Sequence, residues 1–235
     1  MTSKRDNALW LKLWRNHDTD FHQTSINDLL IRFWAKFDLK QNSRVFIPLC
    51  GKSLDMLWLR DQGHTVIGIE LSPVAIKAFF AENNLEPIKT RVGQFIAWQH
   101  GNITILCGDF FDLTKEDLGH IDTVYDRAAL TALPEELRQP YVKHLKHITP
   151  NDCDIFLLTT EDIEHSPDSD KTPFIDKEIQ QLYSLNFDIC LKHVENIAAL
   201  DLLISPESDS NISVSEYRLY QLSHKSILSS DKNMD

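Results

Sequence analysis

The sequence predicts an α/β protein with a doubly wound, mostly parallel sheet. Two observations predict it. Short apolar runs bounded by turn residues alternate with stretches of helical period along the chain. The first of these runs, Val45-Phe46-Ile47-Pro48-Leu49, is apolar without alternation, as a strand covered on both faces must be.

Ile26, Leu29, Leu30, Phe33, Trp34 and Phe37 recur at helical spacing, with Ser25 placed as N-cap, and an aromatic segment, Trp10 to Phe21, precedes them. After the first strand, Ser53 caps a helix through Leu54, Met56, Leu57 and Leu59 that Gly63 ends, and Thr65 to Leu71 is the second strand. Ser72 followed by Pro73 opens a helix that runs to about Asn83. Phe95 to Gln99 and Asn102 to Cys107 flank the turn His100-Gly101 as a strand pair leading into Gly108-Asp109. Asp122 to Tyr125 reads as a strand, Pro134 to Ile148 as a helix, Asp154 to Thr159 as a strand and Ile175 to Leu185 as a helix. Two last strand-like pieces, Phe187 to Val194 and Ser213 to Leu222, are expected to pair antiparallel at one edge. Glu161 to Lys171, acidic and carrying Pro167, is either a mobile lid over the strand ends or a solvated loop.

The chain has a formal net charge of −11, which argues against a broad nucleic-acid footprint and suits a small cationic ligand. Cys50, Cys107, Cys153 and Cys190 are widely spaced with no Cys-x-x-Cys pair, so reduced thiols are expected rather than a zinc site or a disulfide framework. Met1 to Asn7 is polar rather than leader-like, and no apolar run approaches the ~18 residues of a membrane span. A soluble, cytoplasmic protein is expected. All seven glycines lie between Gly51 and Gly119. Since glycine lets backbone approach a ligand closely, the ligand chemistry is sought there or just beside.

In open α/β sheets ligands bind beyond the carboxyl ends of the strands. Gly51-Lys52-Ser53 imitates the end of a phosphate-binding loop, but Phe46 occupies the position where that motif needs glycine. No G-x-G-x-x-G occurs either, so a ligand without phosphates fits better. Glu70 ends the second strand, 19 residues after Gly51, close to the offset of about 20 at which an acid bonds ribose hydroxyls. Asp109-Phe110 could hold the edge and face of a purine. Arg127 emerges at the heart of the crevice, or else pairs with Asp126 where a helix begins. Trp10 and Trp14, at i and i+4, are either a core stripe or, with Phe21, a cage for a cation. His144 and His147 read as surface or core residues, and no metal-ligand spacing is seen.

Four phrases then stand out: Trp10-Leu-Lys-Leu-Trp14 with Phe21-His22-Gln23; Val45 to Met56; Gly68-Ile69-Glu70-Leu71-Ser72; and Tyr125-Asp126-Arg127-Ala128-Ala129-Leu130. In order and spacing they resemble the thiopurine S-methyltransferases over nearly the whole chain. The resemblance implies the seven-stranded class I methyltransferase sheet with an antiparallel edge strand and an N-terminal helical cover. It implies one domain, with residues 1–40 capping a cofactor held by the core at 41–235. The cofactor would be S-adenosyl-L-methionine, leaving S-adenosyl-L-homocysteine. Trp10, Trp14 and Phe21 would lie over its methionine end and the acceptor, Leu49 and Gly51 would line the loop, and Glu70 would bind the ribose. Asp109 and Phe110 would hold the adenine, and Arg127 would face the reacting end and orient an acceptor thiolate, with Asp20 as a possible helper. The implied acceptor is a small thiol, aromatic or heterocyclic, or a chalcogen species, met by a monomer without nucleic acid or membrane. Inorganic acceptors, a non-catalytic cofactor-binding module and a nicotinamide-dependent oxidoreductase are the rival readings.

Overall fold

A computed structural model describes residues 2–37, 39, 42–163, 174–197 and 214–225. The segment 164–173, which holds most of the acidic stretch read as a lid or loop, lies outside the described residues.

The N-terminal helix α1 spans Thr2–Asn16, so the aromatic segment is helical and begins earlier than its tryptophans. Helix α2 (Asp28–Phe33) continues as a 3₁₀ turn over Trp34–Phe37. Its N-cap is Asn27 rather than Ser25: the Asn27 side chain accepts from the N–H groups of Leu29 and Leu30. A long-range bond decides the position, because the Asn27 N–H donates to the buried Asp55 carboxylate at 2.8 Å.

Strand β1 (Arg44–Ile47), helix α3 (Asp55–Asp61) and strand β2 (Thr65–Glu70) form the expected β-α-β unit. The N-cap of α3 is Leu54, without a side-chain cap bond, rather than Ser53, whose Oγ accepts the Asp55 N–H at 3.2 Å just ahead of the helix; Gly63, with φ +90°, follows its end as expected. Helix α4 (Pro73–Glu82) starts as expected, with the Ser72 hydroxyl accepting from Ala75. Then come β3 (Ile88–Val92), β4 (Phe95–His100), β5 (Ile103–Cys107), α5 (Lys115–Leu118), β6 (Thr123–Arg127), α6 (Ala129–Ala132), α7 (Glu135–Ile148), β7 (Asp154–Ile163), α8 (Phe174–Tyr183), β8 (Phe187–Ile197) and β9 (Val214–His224).

The strands form one sheet in the order β3-β4-β5-β2-β1-β6-β7-β9-β8. The run β5-β2-β1-β6-β7 is parallel, and β9 lies antiparallel between β7 and β8. Those seven strands are the expected sheet. Antiparallel β4 and β3 extend it beyond β5 to nine. Strand β3 was not anticipated, because Ile88, Lys89, Thr90 and Arg91 are all exposed and show no buried alternation.

Both faces of the sheet are covered. Val45, Ile47 and Val66 pack with Trp34, Phe79, Tyr125 and Phe156 on one side, while Phe46, Ile67 and Ile69 pack with Phe110, Leu130, Tyr141 and Leu145 on the other. The chain leaves β1 toward β2 and returns beside it as β6, so the strand order reverses there. A crevice opens beyond the carboxyl ends at such a point.

Candidate active site

The carboxyl ends of β1, β2, β5 and β6 open into one cavity, and α1 with the turn after it closes its other side. Trp10, Trp14, Phe21, Leu49, Gly51, Glu70, Asp109, Phe110 and Arg127 all line it. Asp20, by contrast, is exposed and stands outside its lining.

The loop after β1 turns through two left-handed residues, Leu49 (φ +47°) and Gly51 (φ +53°). A Cβ on Gly51 would stand 3.1 Å from Cζ2 of Trp14, so the indole packs directly on loop backbone. At the end of the adjacent β6, Ala128 is also left-handed, with φ +58°. Non-glycine residues held in this region cost roughly 1–3 kcal/mol each, and such strain clusters where backbone is shaped for a ligand.

Glu70 is buried at the end of β2. Its Oε2 accepts the Gly51 N–H at 2.9 Å and its Oε1 accepts the Ser72 N–H at 2.7 Å, so the carboxylate ties the β1 and β2 loops together. Burial pushes its pKa up to about 7, against the pull of the N–H groups of Ser72, Gly51 and Leu71. A carboxylate has about four acceptor sites in all, so room remains for a hydroxyl donor from the cavity.

Asp109, beyond β5, accepts the Phe111 N–H at 2.9 Å through Oδ1 and the Asn7 side-chain amide at 2.6 Å through Oδ2. The second bond latches α1 to the sheet. Phe110 is held in the core by Tyr141, with ring centroids 4.8 Å apart. Phe21 presents an edge-to-face contact to both tryptophans, 5.3 Å from Trp10 and 5.5 Å from Trp14. Trp10 in turn hydrogen-bonds Asp6, whose pKa is raised chiefly by burial, with Glu136 and Asp109 adding repulsion.

Arg127 and Asp126 do not act as a pair. The Asp126 carboxylate turns the other way, accepting the N–H groups of Ala129 and Leu130 and the Tyr141 hydroxyl, the last at 2.7 Å. Burial pushes its pKa up to about 6. Arg127 enters the cavity wall with Nε on Asp55 Oδ2 at 2.7 Å and Nη2 on Ser53 Oγ at 2.8 Å. Tyr125 donates to the same Asp55 oxygen at 2.9 Å. Burial opposes the guanidinium charge, but Asp55 and Tyr125 more than offset it and hold the Arg127 pKa above its ordinary value.

His22, Lys52, Asp6 and Asn7 also line the cavity, although the sequence reading assigns none of them a role there. Lys52 is paired with Glu82 at 2.8 Å. The His22 pKa is lowered, by burial first and then by Lys52 and Arg127, against Glu82 and Asp55. A signal for two of the four existed: Asp6 lies four residues before Trp10, and Asn7 seven before Trp14, so all four share one face of a helix. Altogether the cavity offers a hydroxyl acceptor at Glu70, a polar edge at Asp109, an aromatic cluster from the N-terminal segment, and the Arg127 guanidinium.

The family profile described as thiopurine S-methyltransferase matches residues 5–225 of this chain. A thiopurine S-methyltransferase of Stutzerimonas stutzeri is 53% identical over 94% of this chain and 92% of its own length. One from Nitrosospira multiformis is 43% identical over 77% of this chain and 83% of its own. Among solved structures, an S-adenosylmethionine-dependent methyltransferase of Anabaena variabilis superposes with a TM-score of 0.62 at 13% identity, covering 93% of this chain and 95% of that one, a likeness of fold. The chain therefore belongs to the thiopurine S-methyltransferase family, a family of S-adenosylmethionine-dependent methyltransferases.

Proposed function

We propose that this protein is an S-methyltransferase that moves a methyl group from S-adenosylmethionine to the thiol of a small aromatic or heterocyclic, thiopurine-like acceptor. The observation that carries it is the convergence of Glu70, Asp109 and the Trp10–Phe21–Trp14 cluster on one cavity at the strand-order reversal. When bound, the cofactor supplies a methyl group activated by its sulfonium charge.

The residues fit such a ligand. It has a ribose and a purine but no phosphate. The loop after β1 correspondingly offers a single glycine beside a buried acid rather than a nest of free N–H groups. In this reading Glu70 accepts the ribose hydroxyls, and Asp109 with Phe110 holds the adenine. Leu49 and Gly51 line the loop, and the N-terminal segment caps the methionine end and the acceptor through Trp10, Trp14 and Phe21. Arg127 faces the reacting end. Leu133 and Leu137 line the same cavity as the aromatic rings, which supports a flat apolar acceptor over an inorganic oxyanion. Rate enhancement comes from alignment of the two sulfurs and from keeping water out.

The test is radiolabelled methyl transfer from S-adenosylmethionine to a panel of aromatic thiols and inorganic chalcogen species. Transfer to aromatic thiols is expected. Transfer only to the inorganic species, or tight cofactor binding with no transfer to anything, would overturn the reading.

A further inference from the structure

His22 is a titratable group of the cavity that the reading above leaves unused. It follows Phe21 on the turn after α1, where its N–H bonds the Thr19 carbonyl at 2.8 Å and fixes the backbone at the cavity wall. Among the described residues no group hydrogen-bonds its ring nitrogens, and neither nitrogen is a sealed, buried atom. The other charged groups of the cavity are committed. Arg127 is answered by Asp55 at 2.7 Å and Lys52 by Glu82 at 2.8 Å, and as protonated cations neither has a lone pair to take a proton. Glu70 and Asp109 are held by backbone and by Asn7, and Asp6 by Trp10. Asp20 lies outside the lining.

Resting on the S-methyltransferase reading, we propose that His22 is the general base that takes the proton of the acceptor's thiol. In the step, the acceptor's S–H bond breaks, its proton goes to a ring nitrogen of His22, and the electron pair stays on sulfur. That sulfur forms the new bond to the methyl group while the cofactor's sulfur departs with the old bonding pair as a neutral thioether. The imidazolium then returns its proton to water. The surroundings favour this role: burial, Lys52 and Arg127 hold the imidazole below its ordinary pKa, outweighing Glu82 and Asp55, so the ring is a free base at neutral pH. Its contribution is present above that lowered pKa and is lost as pH falls through it.

The experiment compares two acceptors, a nitro-substituted thiophenol that is ionised at neutral pH and an arylalkyl thiol that is protonated there. For His22→Asn and His22→Gln, kcat/KM on the protonated thiol should fall about 100-fold or more, in the range general-base catalysis supplies. That loss should exceed the loss on the ionised thiol by at least tenfold. The acid limb of the wild-type pH profile should go with it. A readout without turnover is the pH titration of the His22 ring NMR signal in the complex with S-adenosylhomocysteine, whose midpoint should lie below the ordinary histidine value and coincide with the acid limb of the rate profile. Equal losses on both thiols, or an acid limb that does not coincide with the titration of the His22 ring, would overturn the proposal while leaving the function intact. A wild-type protein that binds S-adenosylhomocysteine but methylates neither thiol would sink the S-methyltransferase reading and this proposal with it.

Discussion

Gly51 donates its backbone N–H to the Glu70 carboxylate at 2.9 Å, joining the ends of two adjacent parallel strands through a side chain that burial holds at a pKa of about 7. A ligand that donates hydroxyls to this group prefers its ionised form, so binding must pull the Glu70 pKa down. The sign follows: cofactor affinity rises with pH as Glu70 ionises through about 7, and binding at neutral pH releases a proton. Calorimetry of S-adenosylhomocysteine binding in buffers of different ionisation enthalpy measures that proton directly. Glu70→Gln should abolish the release and weaken binding by roughly 1–3 kcal/mol, as loss of hydrogen bonds to a buried charged acceptor does.

Gly51→Ala attacks the same junction from the backbone side. Its left-handed φ of +53° already disfavours a side chain, and the new methyl would press on Trp14 from 3.1 Å. A stability loss of about 1–2 kcal/mol is expected from the backbone conformation alone. The indole, pushed off the loop, should cost a further tenfold or more in S-adenosylhomocysteine affinity. Thermal melts and titration calorimetry separate the two, and a variant that loses stability but keeps full affinity would show that Trp14 does not touch the ligand.

Asp126 provides a pH test independent of any ligand. Its folded pKa, about 6, lies above the ordinary carboxylate value of 3.8 because it is buried. Between those values the folded chain binds the proton and the unfolded chain does not, so this group's contribution to stability falls as pH rises from about 4 to about 6. At 1.36 kcal/mol per unit the loss is about 3 kcal/mol. Asp126→Asn keeps an acceptor for the Ala129 and Leu130 N–H groups and removes the titration. Urea denaturation across that pH window should show the wild type losing stability relative to the variant.

The sheet was legible in sequence wherever local chemistry decides it. The apolar run at Val45, the Ser72-Pro73 start of α4 and the His100-Gly101 turn each carry their own signal. What failed was decided by distant partners. Ser25 was a reasonable cap, but Asn27 won because Asp55, 28 residues away, holds its N–H. Strand β3 carries no buried alternation because it is an exposed edge. The cavity residues at strand ends follow from topology and spacing, whereas the pairing of Arg127 with Asp55 spans 72 residues and no local pattern announces it. Asp126, its sequence neighbour, was the local guess.

Asp55 is therefore the residue whose loss should reach furthest. It is 1% exposed, and its two oxygens serve the Asn27 N–H, the Tyr125 hydroxyl and the Arg127 guanidinium. Removing a buried member of such a pair leaves its partner's charge without compensation, which typically costs 3–5 kcal/mol. Asp55→Ala should destabilise the protein by about that much in urea denaturation, and loosen the start of α2, seen as faster hydrogen exchange at Leu29 and Leu30. Asp55→Asn keeps an acceptor for Asn27 and should cost less. Pairing each with Arg127→Met isolates the charge term: if the pair is what Asp55 serves, Asp55→Ala must be markedly less damaging once Arg127 is gone. Additive losses would show instead that Asp55 acts mainly through Asn27 and Tyr125, as the clamp that fixes α2 against the sheet.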